Sequence, residues 1–213
     1  MKIEEFARLT QCEHDRLGYR LGWRILTCPT RNMDTARLML IALNPGGSYP
    51  EAPKISVEDG NAYERESWKG QPPGTQQLQK QVIRMIDLCG QRPADILSGY
   101  FVPFRSPGWN DSDQKKEAIR HSRPFWSSLL SASPAELIIS FGHQVAKKLE
   151  NVDYKNPLTV RSAGWGTMEI RAFQLGRSKK LISLPHLSRF GLFNRARSEA
   201  AFCEALQACG WPS

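Results

Sequence analysis

Four short apolar runs constrain this chain more than any other feature. They span residues 38–43, 96–102, 137–141 and 181–184. Each has strand length and none alternates cleanly between apolar and polar, the pattern of strands buried on both faces. Helical periodicity fills the gaps. The stretch "TQQLQKQVIRMIDLCG" places Leu78, Val82, Met85, Ile86 and Cys89 on one face, with Gly90 as a cap and Pro93 beyond. "SDQKKEAIRHSRPFWSSLL" predicts a second helix with a break at Pro124. "HQVAKKLE" predicts a short third. "NRARSEAAFCEALQACG" predicts a closing helix with Ala196, Ala200, Cys203 and Leu206 inward. Strands alternating with helices imply an α/β fold, here a three-layer αβα sandwich around a mostly parallel sheet of four to five strands. The fifth strand falls at 167–175. Residues 1–36 read as an N-terminal helix and an irregular or hairpin extension, and 37–213 as the core. With no linker or repeat, a single domain, 1–213, is expected.

Length and charge narrow the function classes. The 213 residues suffice for a substantial core, and the net charge of +8 favours a polyanionic partner, nucleic acid before membrane. No apolar window is long enough to cross a bilayer, and "MKIEEFARLT" lacks a signal-peptide core. Cytoplasmic residence and no membrane partner are therefore expected. The five cysteines form no CxxC pair and read as reduced structural thiols; neither metal nor cofactor is expected.

In an open α/β sheet, ligands meet the carboxyl ends of the strands. The residues there are Asn44-Pro45-Gly46-Gly47, then Arg105-Ser106-Pro107, then Gly142-His143, then Pro185-His186-Leu187-Ser188. None is a phosphate-binding loop, a zinc-binding HExxH or a nucleophile elbow. Asn44 has two readings, the start of an Asn-Pro turn or a neutral polar group facing a ligand.

Taken together, these strand ends resemble the uracil-DNA glycosylase superfamily. "LNPGG" (43–47) is similar to the first motif of its mismatch-specific uracil/thymine branch, and "LPHLS" (184–188) to its last motif. "GYFVPFRSPGWND" (99–111) and "ELIISFGHQVAKKL" (136–149) resemble the segments between. The resemblance covers residues 37 to about 205 and implies that superfamily's fold, DNA as partner, a monomer, and hydrolysis of an N-glycosidic bond. That reaction needs water held under the sugar C1′ and a donor aimed at the charge growing on the departing base. The resemblance gives the first role to Asn44, with Glu51, Asp59 or Glu64 as possible helpers, and the second to His186. It implies base contacts from Tyr49, Tyr63 and Trp68, and from Tyr100 or Phe101 depending on register. It implies DNA contacts from Gly46, Gly47, Arg105, Ser188, Arg189, Arg195 and Arg197, with Leu187, Phe190 and Leu192 as a wedge. His14, His121 and His143 receive no such role.

Two departures bear on the substrate. Uracil-removing members carry an asparagine on the second strand, and "DILSGYFVPFRSP" has none. Strict uracil enzymes place a blocking aromatic where this chain has Gly46. Both departures fit a base with a bulky 5-substituent, such as glucosylated hydroxymethylcytosine in phage DNA. The resemblance also leaves open uracil or mismatched-thymine repair, and a DNA-binding module of the same fold without catalysis. An unrelated α/β enzyme acting on free nucleotides is the remaining alternative. No lysine is placed for Schiff-base chemistry, so a monofunctional enzyme is expected.

Overall fold

The computed structural model describes residues 1–109 and 114–212. Helix α1 (Ile3–Arg16) and the short α2 (Asn32–Thr35) precede strand β1 (Leu38–Ala42). Then come α3 (Ala62–Arg65), α4 (Gln77–Leu88), β2 (Leu97–Tyr100), α5 (Lys115–Ala132), β3 (Leu137–Phe141) and α6 (His143–Ala146). The chain closes with β4 (Thr159–Ser162), β5 (Glu169–Leu175), β6 (Lys179–Leu184) and α7 (Ala196–Ala208). The sheet has six strands in the order β2-β1-β3-β6-β5-β4. β2, β1, β3 and β6 run parallel, while β5 is antiparallel to both of its neighbours, β6 and β4.

The parallel strands are covered on both faces, which explains their unbroken apolar character. Met39 and Ile41 of β1 face one core with Phe6, Phe125 and Trp126, beneath α1 and α5. Leu38 and Leu40 face the other, with Met85, Ile86 and Phe202 of α4 and α7. Helices on both faces of one sheet are the layered α/β arrangement that the sequence predicts.

The structure corrects that expectation in four places. The sheet has six strands rather than four or five, because residues 159–162 form an edge strand. Only Thr159 of that strand is buried, so it carries no apolar run. Helix α5 runs through Pro124 without breaking. Pro124 lies on the exposed face of the helix, while Phe125, Trp126 and Leu129 hold it to the core. Helix α6 ends at Ala146, four residues short of the expected span. The inward face of α7 is Ser198, Ala201, Phe202, Ala205 and Leu206; Ala196 and Ala200 are exposed. Phe202, a fully buried ring, sets that orientation.

The N-terminal extension has a sheet function. Tyr100 N–H donates to the Ile25 carbonyl at 2.9 Å, and Thr27 N–H to that of Ser98 at 2.8 Å, so residues 24–27 cover the free edge of β2. Gly99 permits this approach. A Cβ there would lie 2.6 Å from the Ile25 carbonyl oxygen and 3.3 Å from Trp126.

Gln81 fixes the chain after β6. It is buried on α4, its Nε2 donates to the Leu187 carbonyl at 2.8 Å, and its Oε1 accepts from Leu192 N–H at 2.7 Å. The turn between residues 186 and 193 is thus clamped to α4 by one side chain. Gln81→Leu leaves a buried N–H and a buried C=O unpaired, for an expected stability loss of about 1–3 kcal/mol. Denaturant unfolding measures this, and hydrogen exchange should accelerate at Leu192. An unchanged midpoint with unchanged exchange refutes the clamp.

Candidate functional site

The carboxyl ends of β1, β3 and β6 lie side by side. Asn44, Gly142 and His186 follow those ends, with Gly142 between the other two. Two strand spacings, roughly 10 Å of backbone, separate the β1 and β6 ends.

Asn44 is half-buried, and its amide is held by local partners. Nδ2 donates to the Ser106 hydroxyl at 2.9 Å and to the Pro45 carbonyl at 3.1 Å. Ser106 N–H donates to the same carbonyl at 3.1 Å, and its hydroxyl donates to Gly108. Both amide hydrogens are therefore occupied, and Oδ1 accepts nothing from the described residues. Asn44 is thus a turn residue whose remaining capacity is that of an acceptor, suited to orienting a water. Ser106, which fixes it, went unassigned in the sequence reading.

His186 is half-buried against Gly142, whose φ of +84° excludes most side chains. Its Nδ1 accepts from Ser188 N–H at 3.3 Å and lies 2.7 Å from the Ser188 hydroxyl. A backbone N–H can only donate. Nδ1 is therefore unprotonated, and the neutral ring carries its hydrogen on Nε2. Burial, reinforced by the nearby Arg189 charge, lowers the His186 pKa below the ordinary 6.5. The ring is thus a neutral Nε2–H donor at pH 7, the form that can stabilise a developing oxyanion without surrendering a full charge. Ser188, expected on a phosphate, is occupied here in orienting His186.

Arg105 also turns inward. Its guanidinium bonds the Gly46 carbonyl and the Glu51 carboxylate. A Cβ on Gly47, where φ is +124°, would meet Arg105 Nη1 at 2.6 Å. Arg105 therefore clamps the 46–51 loop, and it brings Glu51 to the first motif. Glu64 lies beside Arg65, and Asp59 is exposed. Gly46 itself is exposed, with nothing within 4 Å of where a Cβ would point.

The expected aromatic platform divides. Tyr63 is buried and meets the half-buried Trp68 edge-on at 5.4 Å. Trp68 Nε1 donates to Glu66 at 3.1 Å, and Glu66 also binds the buried Arg24 through two bonds of 2.8 Å. Burial pushes the phenols of Tyr63 and Tyr100 up, so both are neutral. Tyr100 is half-buried, at the end of β2, within electrostatic reach of Arg24, Arg105, Glu66 and Glu51. Tyr49 is 83 % exposed. Phe101 is 1 % exposed and stacks on Trp126, so it is a core residue with no face for a base.

The wedge expectation is likewise corrected. Leu187 and Leu192 are buried in the core beneath α4 and α7, because Gln81 draws that turn inward. Phe190 remains half-exposed at the surface. Arg189, Arg195 and Arg197 are exposed and pair with no carboxylate among the described residues, whereas Arg37, Arg84, Arg161 and Arg171 each do. Arg8, Arg20, Arg123 and Arg177 likewise pair with none, and of the three arginines after β6 it is Arg189 that acts electrostatically on His186.

The other polar candidates are structural. His121 bonds Thr10 at 2.9 Å and stacks on Phe6. His143 Nδ1 lies 2.7 Å from the Ser183 hydroxyl. All five cysteines are free thiols, and burial pushes Cys28 up to about 11. Among the described residues, no three His, Cys, Asp or Glu side chains gather as a metal ion would require, and no helix is long and apolar enough to cross a membrane. A surface hollow of 470 Å³ lies by Lys80, Arg84 and Asp87 on α4, away from the strand ends. Nothing in protein-family models matches this chain, and neither does any curated protein.

Nitrogen-detected NMR of the imidazoles checks the His186 assignment. The ring should show the Nε2–H tautomer and titrate below 6.5. Ser188→Ala removes a hydroxyl donor that favours the neutral ring, so the titration should move upward. An Nδ1–H tautomer in the unmodified protein refutes the geometry.

Proposed function

We propose that this chain is a monofunctional DNA glycosylase of the uracil-DNA glycosylase kind, acting as a monomer in the cytoplasm on an extruded, 5-modified pyrimidine. The observation that carries the reading is the fixed Nε2–H of His186 across the strand ends from the free Oδ1 of Asn44. A donor and an acceptor, both neutral, follow the carboxyl ends of β6 and β1, and the segment after β6 carries the unpaired Arg189, Arg195 and Arg197.

The chemistry follows from these two groups. Asn44 Oδ1 accepts a hydrogen bond from a water beneath C1′. The C1′–N1 bond breaks, and its electron pair leaves with the base. His186 Nε2–H donates to the base carbonyl where that charge collects. The water oxygen bonds to C1′, and its proton passes to solvent, leaving an abasic site. An amide is a weak base, so the scheme relies on departure of the base running ahead of attack by water. The arginines 189, 195 and 197 would neutralise phosphates.

The open space at Gly46 supports a base with a bulky 5-substituent, glucosylated hydroxymethylcytosine among them, and so a role against phage DNA. The second reading, a DNA-binding module without catalysis, draws on Asn44 itself, whose amide hydrogens are both spent on a turn.

The test is abasic-site formation on DNA carrying uracil, thymine opposite guanine, hydroxymethylcytosine or its glucosylated form. One substrate should be cleaved. His186→Ala should lower the rate about 10²–10³-fold, the usual effect of removing an oxyanion donor. Asn44→Ala should lower it by a comparable factor. Turnover should also fall as pH drops through the lowered His186 pKa, because protonation places a hydrogen on Nδ1 against Ser188 N–H. DNA binding without cleavage, unaffected by either substitution, would establish the binding module instead.

A further inference from the structure

Trp165 occupies the β4–β5 hairpin loop, between Gly164 and Gly166. The Arg195 guanidinium sits over its ring at 3.9 Å, and the Phe190 ring meets it edge-on at 6.0 Å. The hairpin is stapled to the segment after β6 at two points. Trp165 Nε1 donates to the Gly191 carbonyl at 3.1 Å, and the Ser198 hydroxyl donates to that of Ala163 at 2.8 Å. Gly164, with φ of +75°, lets the loop pass: a Cβ there would lie 3.2 Å from Ser198 Oγ. Trp165 and Phe190 are half-exposed, and Arg195 is exposed without a carboxylate partner among the described residues.

An indole ring capped by a guanidinium and flanked by unpaired arginines is suited to a flat π-face attached to phosphates. Within a duplex the faces of the bases are hidden by their neighbours; in an unpaired strand they are open. The burial of Leu187 and Leu192 points the same way, since it removes two of the three apolar side chains that could lever a duplex apart, and the third, Phe190, packs edge-on against Trp165.

We infer that Trp165 and Arg195 form a stacking platform for an unpaired nucleobase beside His186, so that the chain takes single-stranded DNA in preference to duplex. This inference rests on the reading of the site as one for nucleic acid.

Fluorescence anisotropy with one labelled oligonucleotide, alone and annealed to its complement, tests it. The unmodified protein should bind the single strand at least roughly ten-fold more tightly, in keeping with the strength of base–aromatic stacking. Trp165→Ala should lose roughly ten-fold or more on the single strand and little on the duplex. Trp165→Phe, which keeps a ring, should retain most of the affinity. Arg195→Lys keeps the charge, loses the planar stack, touches no core contact, and should also weaken single-strand binding. Equal binding of strand and duplex, or single-strand affinity unchanged in both Trp165→Ala and Arg195→Lys, overturns the platform while leaving the nucleic-acid reading intact. Binding of neither DNA form by the unmodified protein overturns both.

Discussion

Burial of β1, β3 and β6 on both faces is the constraint on which the site depends. Side chains along these strands are committed to one core or the other, and the ladder bonds consume the backbone groups between them. Polar chemistry is left with the ends. Parallel pairing then brings Asn44, Gly142 and His186 to the same end of the sheet, although they lie far apart in sequence. The turn beyond β6 is unusually fixed for a loop, because a buried glutamine on a different helix holds its carbonyl and its N–H together. A half-buried imidazole in such a turn keeps one orientation, which a donor to a transient charge requires.

A second organising element lies on the β2 side. Burial works against the charges of Arg24 and Glu66, and their bidentate pairing outweighs it, holding the Glu66 carboxyl below its ordinary value. A pair of this kind adds little net stability, since desolvation offsets most of the attraction. Its effect is geometric. Glu66 receives Arg24, Lys54 and Trp68 at once, which fixes the 62–68 segment against the N-terminal strand-edge cover. The long loop after β1 is thereby anchored at a charged point as well as by the buried Ala62 and Tyr63. Arg105 and Glu51 repeat the device nearer Asn44.

Legibility in the sequence followed burial. The four parallel strands, together with α4 and α5, were readable because doubly buried strands and one-sided helices leave strong apolar signals. β4 was not, since an edge strand with three exposed residues has none. Asn44 and His186 stand out in the sequence because each follows an apolar run, and strand ends are where α/β folds bind ligands. Their partners Ser106 and Ser188 were harder to grade, since a hydroxyl orienting a side chain and one binding phosphate look alike in a sequence. Leu187 and Phe101 misled for the opposite reason: motif alignment places a residue but not the direction of its side chain. Trp165 had a visible signal, a tryptophan between two glycines in a polar hairpin, with no motif to attach it to. Gln81 had one too, a glutamine adjoining the apolar stripe of α4.

The distribution of charge joins these elements. Most arginines on the helices and edge strands have carboxylate partners, and such exposed pairs contribute little to stability. Arg189, Arg195 and Arg197 have none among the described residues, like Arg8, Arg20, Arg123 and Arg177, and are set apart by lying on one segment. Packed within nine residues of sequence, they repel one another in the free protein, and any polyanion that bridges them relieves that repulsion. Trp165 lowers the penalty for Arg195 by offering its ring face in place of water. The same segment carries His186, whose pKa is depressed in part by Arg189. When phosphates neutralise Arg189, that part of the depression weakens and the ring becomes more basic. The charge at Arg189 and the protonation of His186 are therefore coupled through a single turn, in which Ser188, by donating to Nδ1, favours the neutral Nε2–H form.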